Sequence, residues 1–335
     1  MPIPGWRGDR PAKKKEENME IVLAQPRGFC AGVVRAIEIV EQALAVYGPP
    51  IYVLHEIVHN QHVVADLRAR GAIFTEDLAS VPAGAVTIFS AHGVSEAKVE
   101  EARARRLEVI DATCPLVAKV HLQAQKYSRE GLEVIIVGHP GHPEVEGTRG
   151  RISGPVHVVS TSQDVARLTV GDPQRLAYVT QTTLSVDDTR EVLAALRMRF
   201  PAIRGRELDG ICYATQNRQN AVRVLAQETQ LLLVVGARNS SNSNRLREVG
   251  AQAGVPAYLV QDAGEIDPAW LSPSMRVGVT AGASTPERLV QEVLDKLGRI
   301  EDIEVRQLTA EPEHVSFNLP VDLLQRQRKA AGQES

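Results

Sequence analysis

Val134-Ile135-Ile136-Val137, emptying directly into Gly138-His139-Pro140-Gly141-His142-Pro143-Glu144, is the stretch from which the rest of the chain can be read. Four consecutive apolar residues fit a strand covered on both faces, as in a parallel sheet. Twenty residues upstream stands Cys114, behind the strand-like pair Val109-Ile110 and ahead of Pro115. Proline is accepted there as the first residue of a helix, and Val117, Val120, Ala124 and Tyr127 continue at helical spacing. The order is therefore strand, cysteine, helix, buried strand, polar loop.

That order occurs three times. Ile21-Val22-Leu23-Ala24 precedes Cys30, with Val33, Ile37, Val40 and Leu44 behind it, then Ile51-Tyr52-Val53-Leu54 and the loop His55 to Asn60. A weak strand ending at Ile211 precedes Cys212. A polar turn, Tyr213 to Asn220, follows, then Val222 and Leu225, the run Leu231 to Val235 and the loop Gly236 to Asn244. His59, His142 and Ser240 lie 29, 28 and 28 residues beyond their cysteines, a near-constant offset. A further strand and polar loop close each unit: Val86 to Phe89 before Ser90-Ala91-His92-Gly93, Leu176 to Val179 before Thr180-Gln181-Thr182-Thr183, and Val277 to Val279 before Thr280 to Ser284. The fold class expected is α/β, with three similar units of small parallel sheets in a pseudo-threefold trefoil. Strands alternating with helices imply right-handed crossovers, and ligands bind beyond the carboxyl ends of such strands. The expected boundaries are 19–112, 113–211 and 212–300, with residues 1–18 a disordered extension and 301–335 a docked tail.

Composition narrows the function. The 335 residues carry 38 Lys and Arg against 41 Asp and Glu, a net charge of −3, so no strong field points to nucleic acid or an anionic membrane. No apolar run is long enough to span a bilayer, and the start lacks the apolar stretch of a secretory signal. Aromatic residues make up only 4%, which argues against base-stacking platforms. Three cysteines make no disulfide framework, and the odd count suggests reduced thiols in the cytoplasm.

Three thiols at three expected helix N-termini have several readings. Independent buried cysteines are one, since free cysteine is among the most buried residue types. Helix N-termini favour thiolate, and three thiolates suit zinc or an iron–sulfur cluster. No Cys-x-x-Cys pair of the usual zinc kind occurs. A cubane has corners that three separate units can reach, and with three cysteines one iron stays open for substrate. Among the histidines, His59, His92 and His142 occupy matching loops, and imidazolium is a good phosphate partner. His55, His121 and His157 read as surface or internally satisfied residues. Ser240 to Asn244 reads as a helix cap that doubles as an anion site. Ser284 and Thr182 are turn hydroxyls able to meet substrate. Glu144 would repel phosphate, so its use is as a proton donor at the other end of the substrate.

Seven segments then carry a resemblance: Pro26 to Gly32, Ser90 to Val94, Asp111 to Pro115, Gly141 to Val145, Thr180 to Leu184, Ser240 to Arg245 and Thr280 to Ser284. In this order they resemble the motif set of the 4-hydroxy-3-methylbut-2-enyl diphosphate reductases, the IspH/LytB family, from about Met19 to Leu319. The resemblance implies one [4Fe–4S] cluster per chain on Cys30, Cys114 and Cys212, with one open iron. It implies diphosphate binding by His59, His92, His142, Ser240, Ser241, Asn242 and Ser284, and proton delivery by Glu144 and Thr182. The implied reaction is the reductive loss of an allylic hydroxyl, giving isopentenyl and dimethylallyl diphosphates as the last step of the non-mevalonate pathway. Electrons would come from a ferredoxin- or flavodoxin-type carrier. A redox-sensing regulator and a Cys₃ zinc hydrolase are the rival readings.

Overall fold

The computed structural model describes residues 18–206, 210–309 and 313–330. The expected extension over 1–18 lies, Asn18 apart, outside these residues. Twelve strands are described: β1 (Met19–Leu23), β2 (Ile51–Leu54), β3 (Ala72–Thr75), β4 (Val86–Phe89), β5 (Glu108–Asp111), β6 (Glu133–Val137), β7 (Val156–Val159), β8 (Leu176–Thr180), β9 (Leu231–Val235), β10 (Ala257–Val260), β11 (Arg276–Ala281) and β12 (Ile303–Gln307). The helices are α1 (Ala31–Tyr47), α2 (Gln61–Ala69), α3 (Glu96–Ala104), α4 (Pro115–Arg129), α5 (Pro143–Arg149), α6 (Ser162–Arg167), α7 (Val186–Arg199), α8 (Tyr213–Glu228), α9 (Ser241–Gln252), α10 (Glu287–Ile300) and α11 (Val321–Ala330).

The strands form three sheets, ordered β3-β2-β4-β5, β7-β6-β8 and β10-β9-β11-β1-β12, and every strand pairing in them is parallel. The central strands β2, β6 and β9 are the three continuous apolar runs of the sequence. Ile51, Val53, Ile135, Leu232, Leu233 and Val234 are wholly buried, as strands with helices on both faces require. In α4 the helical spacing holds to the residue, with Val117, Val120, Ala124 and Tyr127 all buried.

Two local expectations are corrected. No strand ends at Ile211; the last pairing ahead of Cys212 among the described residues is an isolated bridge between Arg204 and Ala177. Tyr213 to Asn220 is no turn but the first half of α8. Its polar residues are tolerated because they have partners. Buried Gln219 accepts from the Val186 amide at 3.0 Å and donates to the Leu184 carbonyl at 2.8 Å.

A third finding concerns the units themselves. β1, grouped by sequence with residues 19–112, pairs with β11 and β12 in the third sheet. β5 sits beside β4 of the first sheet, and the Arg204 bridge lies beside β8 of the second. The segment before each cysteine thus completes the sheet of one unit, while the helix after it packs into the core of the next. Ala36, Ile39 and Val40 of α1 join the core of β2, and Val222 and Leu225 of α8 join Leu232 and Val234. Each cysteine stands at a seam. After the third unit, β12 extends the third sheet, and Leu323 of α11 is buried against the α1 core. Among the described residues no helix is long and apolar enough to cross a membrane.

Candidate active site

Cys30, Cys114 and Cys212 occupy the N-cap positions of α1, α4 and α8. A Cβ added to Gly32 would stand 2.6 Å from the Cys114 sulfur and 3.9 Å from that of Cys30. The start of α1 is bare where two of the thiols face each other. Burial pushes the Cys114 thiol up to about 12 and Cys212 up to about 11, and the neighbouring Cys30 adds to both. Amides at the helix starts pull the other way and lose. At Cys114 and Cys212 the expected preference for thiolate is therefore reversed, because desolvation and mutual repulsion exceed the helix-terminus effect. A cationic metal group between the sulfurs removes that penalty, since a coordinating thiol is deprotonated. The sulfurs of Cys30 and Cys114 share a space cleared by Gly32, and Cys212 is close enough to interact electrostatically with them; this donor chemistry suits an iron–sulfur cluster.

Three loops bring the histidines together. His59 stacks on His92 with ring centroids 4.1 Å apart, and His142 meets them edge-on at 5.7 and 6.2 Å. His59 Nδ1 lies 3.1 Å from Glu56 Oε2, whose oxygen also accepts from Asn239 Nδ2 at 2.9 Å. This orients the ring and leaves His59 Nε2 buried with no partner. Burial lowers His92 well below the ordinary imidazole range, and the neighbouring His59 and His142 add to the shift. His142 falls to about 4 for the same two reasons. At His92 and His142 the imidazolium expected from sequence is disfavoured.

The third unit supplies the rest. Ser240 caps α9, accepting from the Ser243 amide at 3.3 Å. Two residues past that cap the Asn242 side-chain amide is buried, and neither its oxygen nor its nitrogen has a partner. Ser284 Oγ donates to the His59 carbonyl at 2.9 Å, tying the third unit to the first. Ser241 Oγ reaches the Thr183 carbonyl at 3.4 Å, tying it to the second. Three unpartnered buried polar atoms on His59 and Asn242 are costly without a ligand, roughly 1–3 kcal/mol each, and mark where one belongs.

Glu144 lies on the other side of His142. Its carboxyl is buried, accepting from the Thr182 amide at 2.6 Å and the Thr182 hydroxyl at 3.0 Å. The Thr182 carbonyl in turn accepts from the Cys212 amide at 3.1 Å. Burial pushes Glu144 up to about 7, outweighing both bonds from Thr182. The chain His142, Glu144, Thr182, Cys212 therefore runs from the imidazoles to the thiols.

Every residue singled out by sequence is found in this region. Of those set aside, His55 pairs with Glu76 and His157 with Glu133, as satisfied residues. His121 is instead buried with Nε2 unpartnered, against Gly93. Sequence reasoning missed Asn239 and Gln181. The Gln181 side chain accepts from the His139 amide at 3.0 Å and donates to Thr183 Oγ1 at 2.8 Å. Its position inside the Thr180 to Thr183 loop was the available signal; for Asn239 only the polar loop as a whole was.

A family model described as LytB protein matches residues 21–298. A 4-hydroxy-3-methylbut-2-enyl diphosphate reductase of Azoarcus sp. (strain BH72) is 58% identical over 307 residues, covering 92% of this chain and 98% of its own. The enzyme so named from Pseudomonas putida (strain W619) is 57% identical over 309 residues, covering 91% and 98%. Among solved structures, the E-1-hydroxy-2-methyl-but-2-enyl-4-diphosphate reductase from Plasmodium falciparum superposes with a TM-score of 0.89. It is 38% identical and covers 94% of this chain and 99% of its own. A second, described as the terminal enzyme of the non-mevalonate pathway, has a TM-score of 0.61 at 33% identity, covering 84% and 99%.

Proposed function

This chain belongs to the LytB protein family, and we propose that its three-unit site reduces 4-hydroxy-3-methylbut-2-enyl diphosphate to isopentenyl and dimethylallyl diphosphates. The observation that carries the reading is the buried Glu144 carboxyl, held by Thr182 between the imidazole cluster and Cys212. Replacing C–OH by C–H takes two electrons and two protons, and water leaves. When bound on Cys30, Cys114 and Cys212, a [4Fe–4S] cluster supplies electrons singly and a Lewis-acid iron that carries no cysteine.

The protein's own residues do the rest. His59, His92, His142, Ser240, Ser241, Asn242 and Ser284 hold the diphosphate, so binding energy from a group that does not react positions the alcohol. An entering anion supplies the charge that the depressed His92 and His142 lack, drawing protons onto them. Glu144, near half-protonated at neutral pH, keeps a proton at its carboxyl, and the Thr182 hydroxyl relays it to the departing oxygen. Sequestration of the carboxyl from water keeps that proton for substrate. Electrons arrive from a ferredoxin- or flavodoxin-type carrier.

Glu144→Gln keeps the shape and an acceptor for the Thr182 amide but has no proton to give. Its turnover should fall by about 10²–10⁴, with substrate affinity and iron content intact. In the unsubstituted enzyme the acid form is lost as pH rises through about 7, so kcat should decline above that pH. Normal turnover by Glu144→Gln under saturating reductant would move the proton donor elsewhere, with His142 the next candidate.

A further inference from the structure

The carbonyl immediately before each cysteine is held by a side chain, and the three seams do not do this alike. At Cys212 the Ile211 carbonyl accepts from Gln216 of the same helix at 2.8 Å. At Cys30 the holder is Arg218 of α8, a fully buried guanidinium. It donates to the Gly28 carbonyl at 2.7 and 3.1 Å, to the Phe29 carbonyl at 3.3 Å and to the Ala214 carbonyl at 3.0 Å. Its remaining bonds go to both carboxylate oxygens of Glu313, at 3.1 and 3.2 Å, and Asn217 also donates to that carboxylate. At Cys114 the holder is Arg35 of α1, donating to the Thr113 carbonyl at 3.2 Å and to the Asn318 carbonyl at 2.8 Å.

Both arginines stand one to two turns beyond a cysteine, Arg218 after Cys212 and Arg35 after Cys30, and each reaches the loop of the next one. Both complete their shells on the C-terminal segment. A buried guanidinium is strongly disfavoured unless paired, so Glu313 is what allows Arg218 to sit there. We propose that Arg218 and Arg35 are positioning residues that clamp the Cys30 and Cys114 loops to Glu313 and Asn318. The C-terminal segment is thereby part of the holder of the metal group and not a cover over the substrate. This rests on the reading of the three thiols as cluster ligands.

The test uses anaerobically purified holoprotein and follows loss of iron to bathophenanthroline disulfonate. Glu313→Ala and Arg35→Ala should each speed iron loss about tenfold, the range in which partners of metal ligands act. Glu313→Gln, which keeps an acceptor for Arg218, should recover most of the difference. Affinity for the substrate diphosphate should stay within about twofold of the unsubstituted enzyme, a shift small against the tenfold effect expected at a partner of a metal ligand. A merely structural role would lower the unfolding midpoint while leaving the rate of iron loss from the folded protein unchanged. Unchanged iron loss in a normally loaded Glu313→Ala protein overturns the clamp alone, as does a loss confined to substrate affinity. A holoprotein without iron and sulfide overturns the cluster reading and the clamp with it.

Discussion

At His92 and His142 two effects act in one direction. Each ring is taken out of water, and each faces another ring that would be cationic beside it. Neutral imidazoles this close tolerate one another, whereas adjacent imidazolium ions do not. A diphosphate reverses the balance, so binding at neutral pH should take up protons. Calorimetry at pH 7 in buffers of different ionisation enthalpy should give observed enthalpies that differ in the sense of uptake. His142→Asn keeps a capping side chain for α5 and should reduce that dependence. Equal enthalpies in all buffers for the unsubstituted protein would mean that these rings do not titrate on binding.

Helix α1 illustrates how an element serves the site. Glycine near a helix start is a poor helix former, up to about 1 kcal/mol worse than alanine. Gly32 is nonetheless where the thiols of Cys30 and Cys114 face each other. In Gly32→Ala the new methyl would force the Cys114 side chain from its rotamer, weakening metal binding by about 0.5–1.5 kcal/mol or more. The metal-free protein should remain folded, with stability within about 1 kcal/mol of the original. Iron and sulfide analysis after reconstitution checks this, and full loading of Gly32→Ala would show that the shared space is not needed.

Across the whole molecule, the first and last described strands are joined in one sheet. β1 lies between β11 and β12, and Met19, Ile21 and Leu23 are buried with Val277, Val279 and Leu289. A fragment spanning 19–112 retains the four strands β2 to β5 but strips β1 of both neighbours. Amides of residues 19–23 should then exchange at unfolded rates, although the full chain protects them; the gap should approach the full stability of the domain, about 5–15 kcal/mol. Protection of β1 in the isolated fragment would mean that it can pair within the first unit.

The chain alone determined that three α/β units exist, where their buried strands run, and which loops carry the hydroxyls, the imidazoles and Glu144. Those properties are local: a continuous apolar run, a proline at a helix start and a fixed offset from each cysteine need no distant partner to be read. Only the tertiary structure decided which sheet each strand joins, because parallel neighbours come from anywhere in the chain, and β1 found its own in the last third. It also decided that Tyr213 to Asn220 is helical, since the partners of Gln219 and Arg218 are remote in sequence. The charge states of Cys114, His92 and Glu144 belong to the same class. A helix terminus or a histidine in a loop is visible in sequence, but burial and the neighbours that shift a proton exist only once the three units have closed around them.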